Sequence, residues 1–352
     1  MRDTDLFCWG ANESGQLARA PSSDVFESPQ PVLAGVRSAS VGGEDFGGTV
    51  TTHVCAVLES GEVACWGEGR RGRLGLGDTL SRSDPEVLDP FSSSPAVQVE
   101  AGGGSTCARM QNGEAYCWGN NVFGQLGASV ADEFLTRPVR VEAPDGGSWR
   151  DLSSGLLHVC GIASGHVYCW GQNANGQLGV STDVGQSGRP VAIELNVSVE
   201  FQDVACGGFH CCALDRDGNA YCWGGNQFGN TGREPNASNL DNVDRVVGSF
   251  RFVSLQCGRS HCCGIGLHGA LTCWGRNREG QLGVAEDTLD RFRPTPVIGP
   301  AVGWTEAGLG NTSSCGVIDG QFLWCWGDNA FGQLADAAGQ GRLTPERSCL
   351  PN

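Results

Sequence analysis

The tripeptide Cys-Trp-Gly occurs seven times, starting at Cys8, Cys65, Cys117, Cys169, Cys222, Cys273 and Cys325, at intervals of 57, 52, 52, 53, 51 and 52 residues. A period of this length running through 352 residues marks a repeat architecture, so chain length stops arguing for several domains and a single domain over 1–352 is expected. A variant of x-Asn-x-x-Gly-Gln-Leu-Gly follows each copy, cleanest at Asn121–Gly127, Asn173–Gly179 and Asn277–Gly283. Asn and Gly tolerate positive φ, so the segment reads as a recurring turn.

Upstream of each tripeptide lie short alternating apolar segments parted by glycine turns, as in Phe201 to Leu214, then Asp217-Gly218, then Tyr221-Cys222-Trp223-Gly224. Such segments are strands. Adding the segment that ends at Pro138-Val139, Pro190-Val191 or Pro296-Val297 gives four strands per repeat, which is one propeller blade. The expected fold is therefore an all-β, seven-bladed β-propeller of four short antiparallel strands per blade. A tryptophan recurring once per repeat belongs to the core between blades, and Tyr116, Tyr168 and Tyr221, each just before a Cys-Trp-Gly, are structural as well.

These residues resemble the regulator of chromosome condensation repeat: about 51 residues, with Gly-x-x-His upstream of Trp-Gly and Gly-Gln-Leu-Gly downstream, matching from residue 6 to about 335. Kelch repeats fit worse and WD repeats are too short. The resemblance implies a rigid scaffold. Its nuclear founder exchanges guanine nucleotides on a small GTPase, so an exchange factor for a small GTPase stands as an alternative, against which weigh the cysteine framework and the missing basic tail; secreted members include an inhibitor of β-lactamase.

Charge narrows the partners. The chain has 23 basic and 39 acidic residues, a net charge of −16, and every basic residue is arginine. Phosphate backbones and anionic lipid surfaces are repelled, so neither nucleic acid nor membrane insertion is expected, and no apolar run is long enough to span a bilayer. Without lysine, Schiff-base chemistry is absent. Arginine in place of lysine suits a GC-rich genome and, with it, a bacterial source.

The 18 cysteines are too many for a reducing compartment and lack zinc-type spacing. Six pairs flank glycine turns nine or ten residues apart: Cys55 with Cys65, Cys107 with Cys117, Cys160 with Cys169, Cys212 with Cys222, Cys263 with Cys273, and Cys315 with Cys325. Turn signals such as Ser60-Gly61 and Asn112-Gly113 set each pair face to face across a hairpin, where a disulfide reaches. Cys206 with Cys211 and Cys257 with Cys262 are present together or absent together in each repeat, which favours bonding within it. Cys8 and Cys349 remain at opposite ends of the chain. The first Cys-Trp-Gly lacks an upstream hairpin, and Arg347-Ser348-Cys349-Leu350 resembles the segment at Ser313, so the C-terminus is expected to close the ring, with Cys8 bonded to Cys349. All 18 thiols are then oxidised. An exported, periplasmic or cell-surface location follows, although Met1 to Phe7 contains no apolar signal region. The sequons at Asn12, Asn196, Asn236 and Asn311 matter only in a eukaryotic secretory route.

Several apparent motifs dissolve in the repeat register. Gly67-Glu-Gly-Arg-Arg-Gly72 matches a dinucleotide fingerprint but is the recurring turn with Gly69 in place of Asn. Asp215-Arg-Asp-Gly-Asn219 begins like a calcium loop yet sits at a hairpin tip without the distal acid. His53, His158, His210 and His261 share one repeat position, where convergence on a metal competes with bonding inside the blades. No nucleophile–base arrangement is legible, so no enzyme, cofactor or metal is expected; a lyase-type propeller enzyme stands as an alternative. What varies are the loops Ser22–Ser28, Asp78–Pro95, Ala131–Thr136, Glu234–Asp244 and Ala285–Phe292. They combine acids with phenylalanines, and Phe26, Asp78, Phe91, Phe134, Asp287 and Phe292 are the candidate contacts of a monomeric, non-enzymatic scaffold. The partner expected is a protein with a basic patch; loop composition alone does not separate this from a glycan.

Overall fold

The computed structural model describes residues 4–46, 49–195, 197–235, 242–284, 287–336 and 339–348. Among them the chain is all-β apart from three single 3-10 turns, and no helix is long and apolar enough to cross a membrane. Two compact units divide it: Met1–Ser164 with Tyr168–Asn173 and Gly185–Val191, and Gly165–Val167 with Ala174–Val184 and Ala192–Asn352.

Six antiparallel sheets have four strands each, paired in chain order. The first blade comprises Val36–Phe46, Thr49–Leu58, Val63–Gly67 and Arg82–Val87; the second Ala96–Ala101, Ser105–Met110, Ala115–Asn120 and Phe134–Val141. The third comprises Trp149–Ser154, His158–Ala163, His166–Gln172 and Gln186–Ala192; the fourth Phe201–Cys206, His210–Asp215, Ala220–Gly224 and Asp244–Arg245. Phe252–Cys257, His261–Gly266, Leu271–Gly275 and Arg291–Pro296 form the fifth, and Trp304–Leu309, Ser313–Ile318, Phe322–Gly327 and Arg342–Arg347 the sixth.

The expected count of seven blades is corrected to six. Among the described residues the first Cys-Trp-Gly lies in a two-stranded ribbon, Leu6–Asn12 against Ser22–Leu33, and not in a four-stranded sheet. The strand expected from the C-terminus is already in use: Arg347 pairs with Trp324 as part of the sixth blade's own fourth strand, and the Ser348 amide donates to the Leu323 carbonyl. Cys349 lies outside the described residues.

The two halves of the repeat motif serve each other. The tryptophans Trp66, Trp118, Trp170, Trp223, Trp274 and Trp326 are fully buried. Each Nε1 donates, at 2.9–3.0 Å, to the backbone carbonyl at the Gln position of the preceding turn: Gln16, Arg73, Gln125, Gln177, Asn230 and Gln281. The glycine after that turn keeps the approach open; a Cβ on Gly127, at φ +67°, would lie 2.7 Å from Trp170 Nε1. The recurring asparagine works through its side chain rather than through positive φ. Asn121 Oδ1 accepts the Leu126 amide, and Asn12, Asn277 and Asn329 do the same for Leu17, Leu282 and Leu334.

Disulfides cross every four-stranded blade between opposed residues: Cys55–Cys65, Cys107–Cys117, Cys160–Cys169, Cys212–Cys222, Cys263–Cys273 and Cys315–Cys325. Cys206–Cys211 and Cys257–Cys262 join the first two strands of the fourth and fifth blades. Cys8 has no disulfide partner among the described residues, and burial pushes its thiol up to about 11.

Candidate protein-binding surface

Antiparallel pairing gives each blade two unlike ends. In the first blade His53 faces Gly67 and Gly67 faces Arg82, so the first-to-second turn and the third-to-fourth loop share one end, the loop end. Val57 faces Val63 and Ala64 faces Val87, which puts the second-to-third turn and the link to the next blade at the other.

Five of the six candidate contacts fall at the loop end of their own sheets or in the equivalent part of the ribbon. Phe26 lies opposite Gly10, with the Arg19 guanidinium 5.1 Å from its ring centroid. Phe134 opens the second blade's fourth strand opposite Asn120 and is 41% exposed. Phe292, in the fifth blade's fourth strand, leans over Gly229, where a Cβ would meet its ring at 2.5 Å. Phe91 is the exception. It lies on the connection after the first blade and packs edge-on against Tyr116 and Trp118, with centroids at 5.3 and 5.9 Å, as part of the core.

Asp78 and Asp287 do similar work in two blades, and the structure thereby picks out a feature the candidate set missed. Asp78-Thr79-Leu80-Ser81-Arg82 and Asp287-Thr288-Leu289-Asp290-Arg291 form matching loops. Asp78 Oδ1 accepts the Leu80 amide at 2.9 Å and Asp287 Oδ1 the Leu289 amide at 3.0 Å, each an Asx turn. Arg82 and Arg291 then close the loop from the other side. Their Nη1 atoms donate to the Leu80 and Leu289 carbonyls at 2.9 and 2.7 Å, while their Nη2 atoms reach the Asp carboxylates at 2.8 and 2.9 Å. The arginine hydrogen bonds hold both carboxyls below the usual aspartate range. Each leucine backbone is thus fixed while its side chain stays 64% and 66% exposed. The duplicated pentapeptide is visible in the sequence and is the signal that could have found Leu80 and Leu289.

A second feature was also missed. The first blade's opening hairpin, Val36–Phe46 with Thr49–Leu58, is nearly twice as long as its counterparts and extends from the loop end. Its root is pinned by Arg73, which occupies the turn position that holds glutamine in most repeats; Arg73 Nη2 donates to Glu44 Oε1 at 2.5 Å and Nη1 to the Gly103 carbonyl at 3.3 Å. The sequence signal is the first interval, 57 residues against about 52 elsewhere.

The shared-position histidines do structural work. His53 Nε2 meets Thr106 Oγ1 at 2.9 Å and His261 Nε2 meets Ser314 Oγ at 2.8 Å, and those hydroxyls donate to the Arg73 and Gln281 carbonyls. His210 Nε2 instead faces Cys262 Sγ at 3.1 Å. Burial lowers the pKa of His53 well below its usual value, with a contribution from Arg73, and that of His210 to about 4. The dinucleotide-like glycines end a strand and lead into the short turn Arg70–Gly72; a Cβ on Gly69 would strike the Leu80 carbonyl oxygen at 2.0 Å, so the glycine serves the loop. The calcium-like loop is closed on itself: Asp215 accepts from the Asp217 and Asn219 amides and from Asn219 Nδ2.

Comparison with known proteins supplies the relatives. A model of the regulator of chromosome condensation (RCC1) repeat matches residues 60–109, 112–162 and 164–214, and a second model of the same repeat matches 96–125, 201–230 and 252–281. The ultraviolet-B receptor UVR8 of Arabidopsis thaliana is 32% identical across 82% of this chain, which spans 64% of that protein. The E3 ubiquitin-protein ligase HERC2 of Homo sapiens is 30% identical across 94% of this chain, which spans 7% of it. Among solved structures the fold is similar to human WBSCR16, with a TM-score of 0.88 at 19% identity, covering 100% of this chain and 95% of that one. It is also similar to Prp20p from Saccharomyces cerevisiae, described with its binding properties to Gsp1p and histones, with a TM-score of 0.84 at 22% identity over 99% and 86% of the two chains.

Proposed function

The chain belongs to the regulator of chromosome condensation (RCC1) repeat family, and from that premise we propose that it is a non-enzymatic protein-interaction scaffold, exported to an oxidising compartment, that binds through the loop ends of its blades. The observation that carries this reading is the pair of Asp-Thr-Leu-x-Arg loops. An exposed leucine on a backbone already hydrogen-bonded on both sides loses little backbone entropy on binding, so more of its burial is kept as affinity. Within the first unit Phe134, 41% exposed, and within the second Phe331, 50% exposed, are further apolar side chains at loop ends.

A basic protein partner is supported by the net charge of −16. Prp20p, a structural relative, has binding properties to histones, which are themselves basic proteins. Export is supported by eight disulfides, since such a density is stable where thiols are not kept reduced.

The test is paired capture from the secreted and surface fractions with the oxidised wild-type chain and with Leu80→Asp/Leu289→Asp. Both substitutions are at exposed side chains, so the fold and melting temperature should be kept. A protein retained by the wild type and lost by roughly tenfold or more in the double variant supports the reading. Equal capture by both chains places binding elsewhere and overturns it.

A further inference from the structure

Three metal-donor side chains converge within one compact unit. His210, at the start of the fourth blade's second strand, points Nε2 at Cys262 Sγ from 3.1 Å, and the ligand atoms of His210, Cys257 and Cys262 all lie within 4.8 Å of one another. Cys257 and Cys262 face each other in register across the fifth blade's first hairpin and are joined as a disulfide. His210 and Cys262 are buried, whereas Cys257 is partly exposed.

The register shows what is unusual here. At the position of Cys262 the second and sixth blades carry Thr106 and Ser314, whose hydroxyls meet the preceding blade's histidine and pass a hydrogen bond on to a carbonyl. Opposite those hydroxyls stand Ala101 and Leu309; opposite Cys262 stands Cys257. A hydroxyl is the better tether for the histidine, and of the fifth blade's two disulfides Cys263–Cys273 joins its second and third strands while Cys257–Cys262 joins its first and second. The tether role therefore accounts for neither sulfur.

We propose that Cys257–Cys262 is a redox-gated metal site: once this disulfide is reduced, His210, Cys257 and Cys262 bind one thiophilic divalent cation of the zinc type. Reduction takes two electrons and two protons from a thiol or phosphine reductant, which is oxidised in turn, and yields two thiols. The cation displaces both thiol protons and is held by two thiolates and the imidazole lone pair, with water in the fourth place, the ligand set of known two-cysteine, one-histidine zinc sites. Two thiolates cancel the charge of the ion, so the buried site carries no net charge to desolvate. The sulfurs must part from the disulfide distance to about 3.8 Å, which tetrahedral bonds of about 2.3 Å require, and side-chain rotation at opposed positions allows it.

The full chain tests this with Co2+ as the probe. Limiting phosphine opens the most readily reduced disulfide, alkylation with mass spectrometry identifies the thiols released, and after removal of the phosphine Co2+ is titrated while thiolate-to-metal absorption is recorded. Expected are Cys257 and Cys262 among the released thiols and a charge-transfer band that Zn2+ abolishes. Cys257→Ser/Cys262→Ser should lose one equivalent of bound Co2+, and His210→Gln, which keeps a hydrogen-bonding side chain, should weaken binding by roughly tenfold or more. No band from the reduced wild type, unchanged stoichiometry in the serine variant, or unchanged affinity in folded His210→Gln would each overturn the proposal.

Discussion

At the scale of single residues, the repeat is held by polar side chains that reach across blades as much as by its apolar core. His53 is an example. It is fully buried, its Nε2 is bonded to Thr106, and burial together with the nearby Arg73 charge lowers its pKa well below 6.5. The sign of the pH effect follows directly. A histidine kept neutral in the folded state but free to protonate near pH 6.5 when unfolded contributes stability that is intact above that value and is lost as pH falls below it. Thermal unfolding from about pH 7.5 to 5 should therefore show a decline in wild type that is shallower in His53→Gln, where one buried imidazole fewer titrates. Parallel curves would mean that His53 is solvated in the folded chain. That His53, His210 and His261 share a role was legible from their common position, but its nature was not. Only their neighbours, two hydroxyls and a sulfur, decide it, and those neighbours come from the next repeat.

Elements show where a repeat pattern informs and where it misleads. Strand order, the six hairpin disulfides and the turn that receives each tryptophan were readable because they depend on residues within about 50 positions that recur. The long hairpin over 36–58 was hidden because a periodic reading averages away an insertion in one copy. Its support, Arg73 against Glu44, is a buried ion pair with side-chain exposures of 0% and 9%. Removing one partner leaves the other charged and uncompensated, so Glu44→Ala should cost roughly 3–5 kcal/mol. Arg73→Gln restores the residue that other repeats carry, so adding it to Glu44→Ala should recover much of that loss. Urea unfolding of the two single variants and the double completes the cycle. Additive losses would mean that the two side chains do not stabilise each other.

For the whole molecule, counting Cys-Trp-Gly copies gave seven units, whereas complete sheets depend on strand supply, and the C-terminal strand that would have served the first copy belongs to the sixth blade. Function was legible only in outline. Acidity and loop variability pointed to a protein partner, but Phe91 packs against the core, and the leucines that stand out from the loops are marked in the sequence only by the duplicated pentapeptide, because exposure is a property of the folded loop and not of residue type. The two contributions separate in kinetics. The net charge of −16 acts over a Debye length of about 10 Å at 0.1 M salt, so the basic partner proposed above would be steered during approach by a field that is screened as salt rises. On the proposed reading Leu80 and Leu289 act only after contact, by burying apolar surface that salt does not screen. With a captured partner immobilised, raising salt from about 0.05 to 0.5 M should slow association several-fold and leave dissociation nearly unchanged. Leu80→Ala/Leu289→Ala should do the reverse, speeding dissociation with the association rate preserved. If salt instead accelerates dissociation as strongly as it slows association, the complex is held by ion pairs, and the exposed leucines are not its anchors.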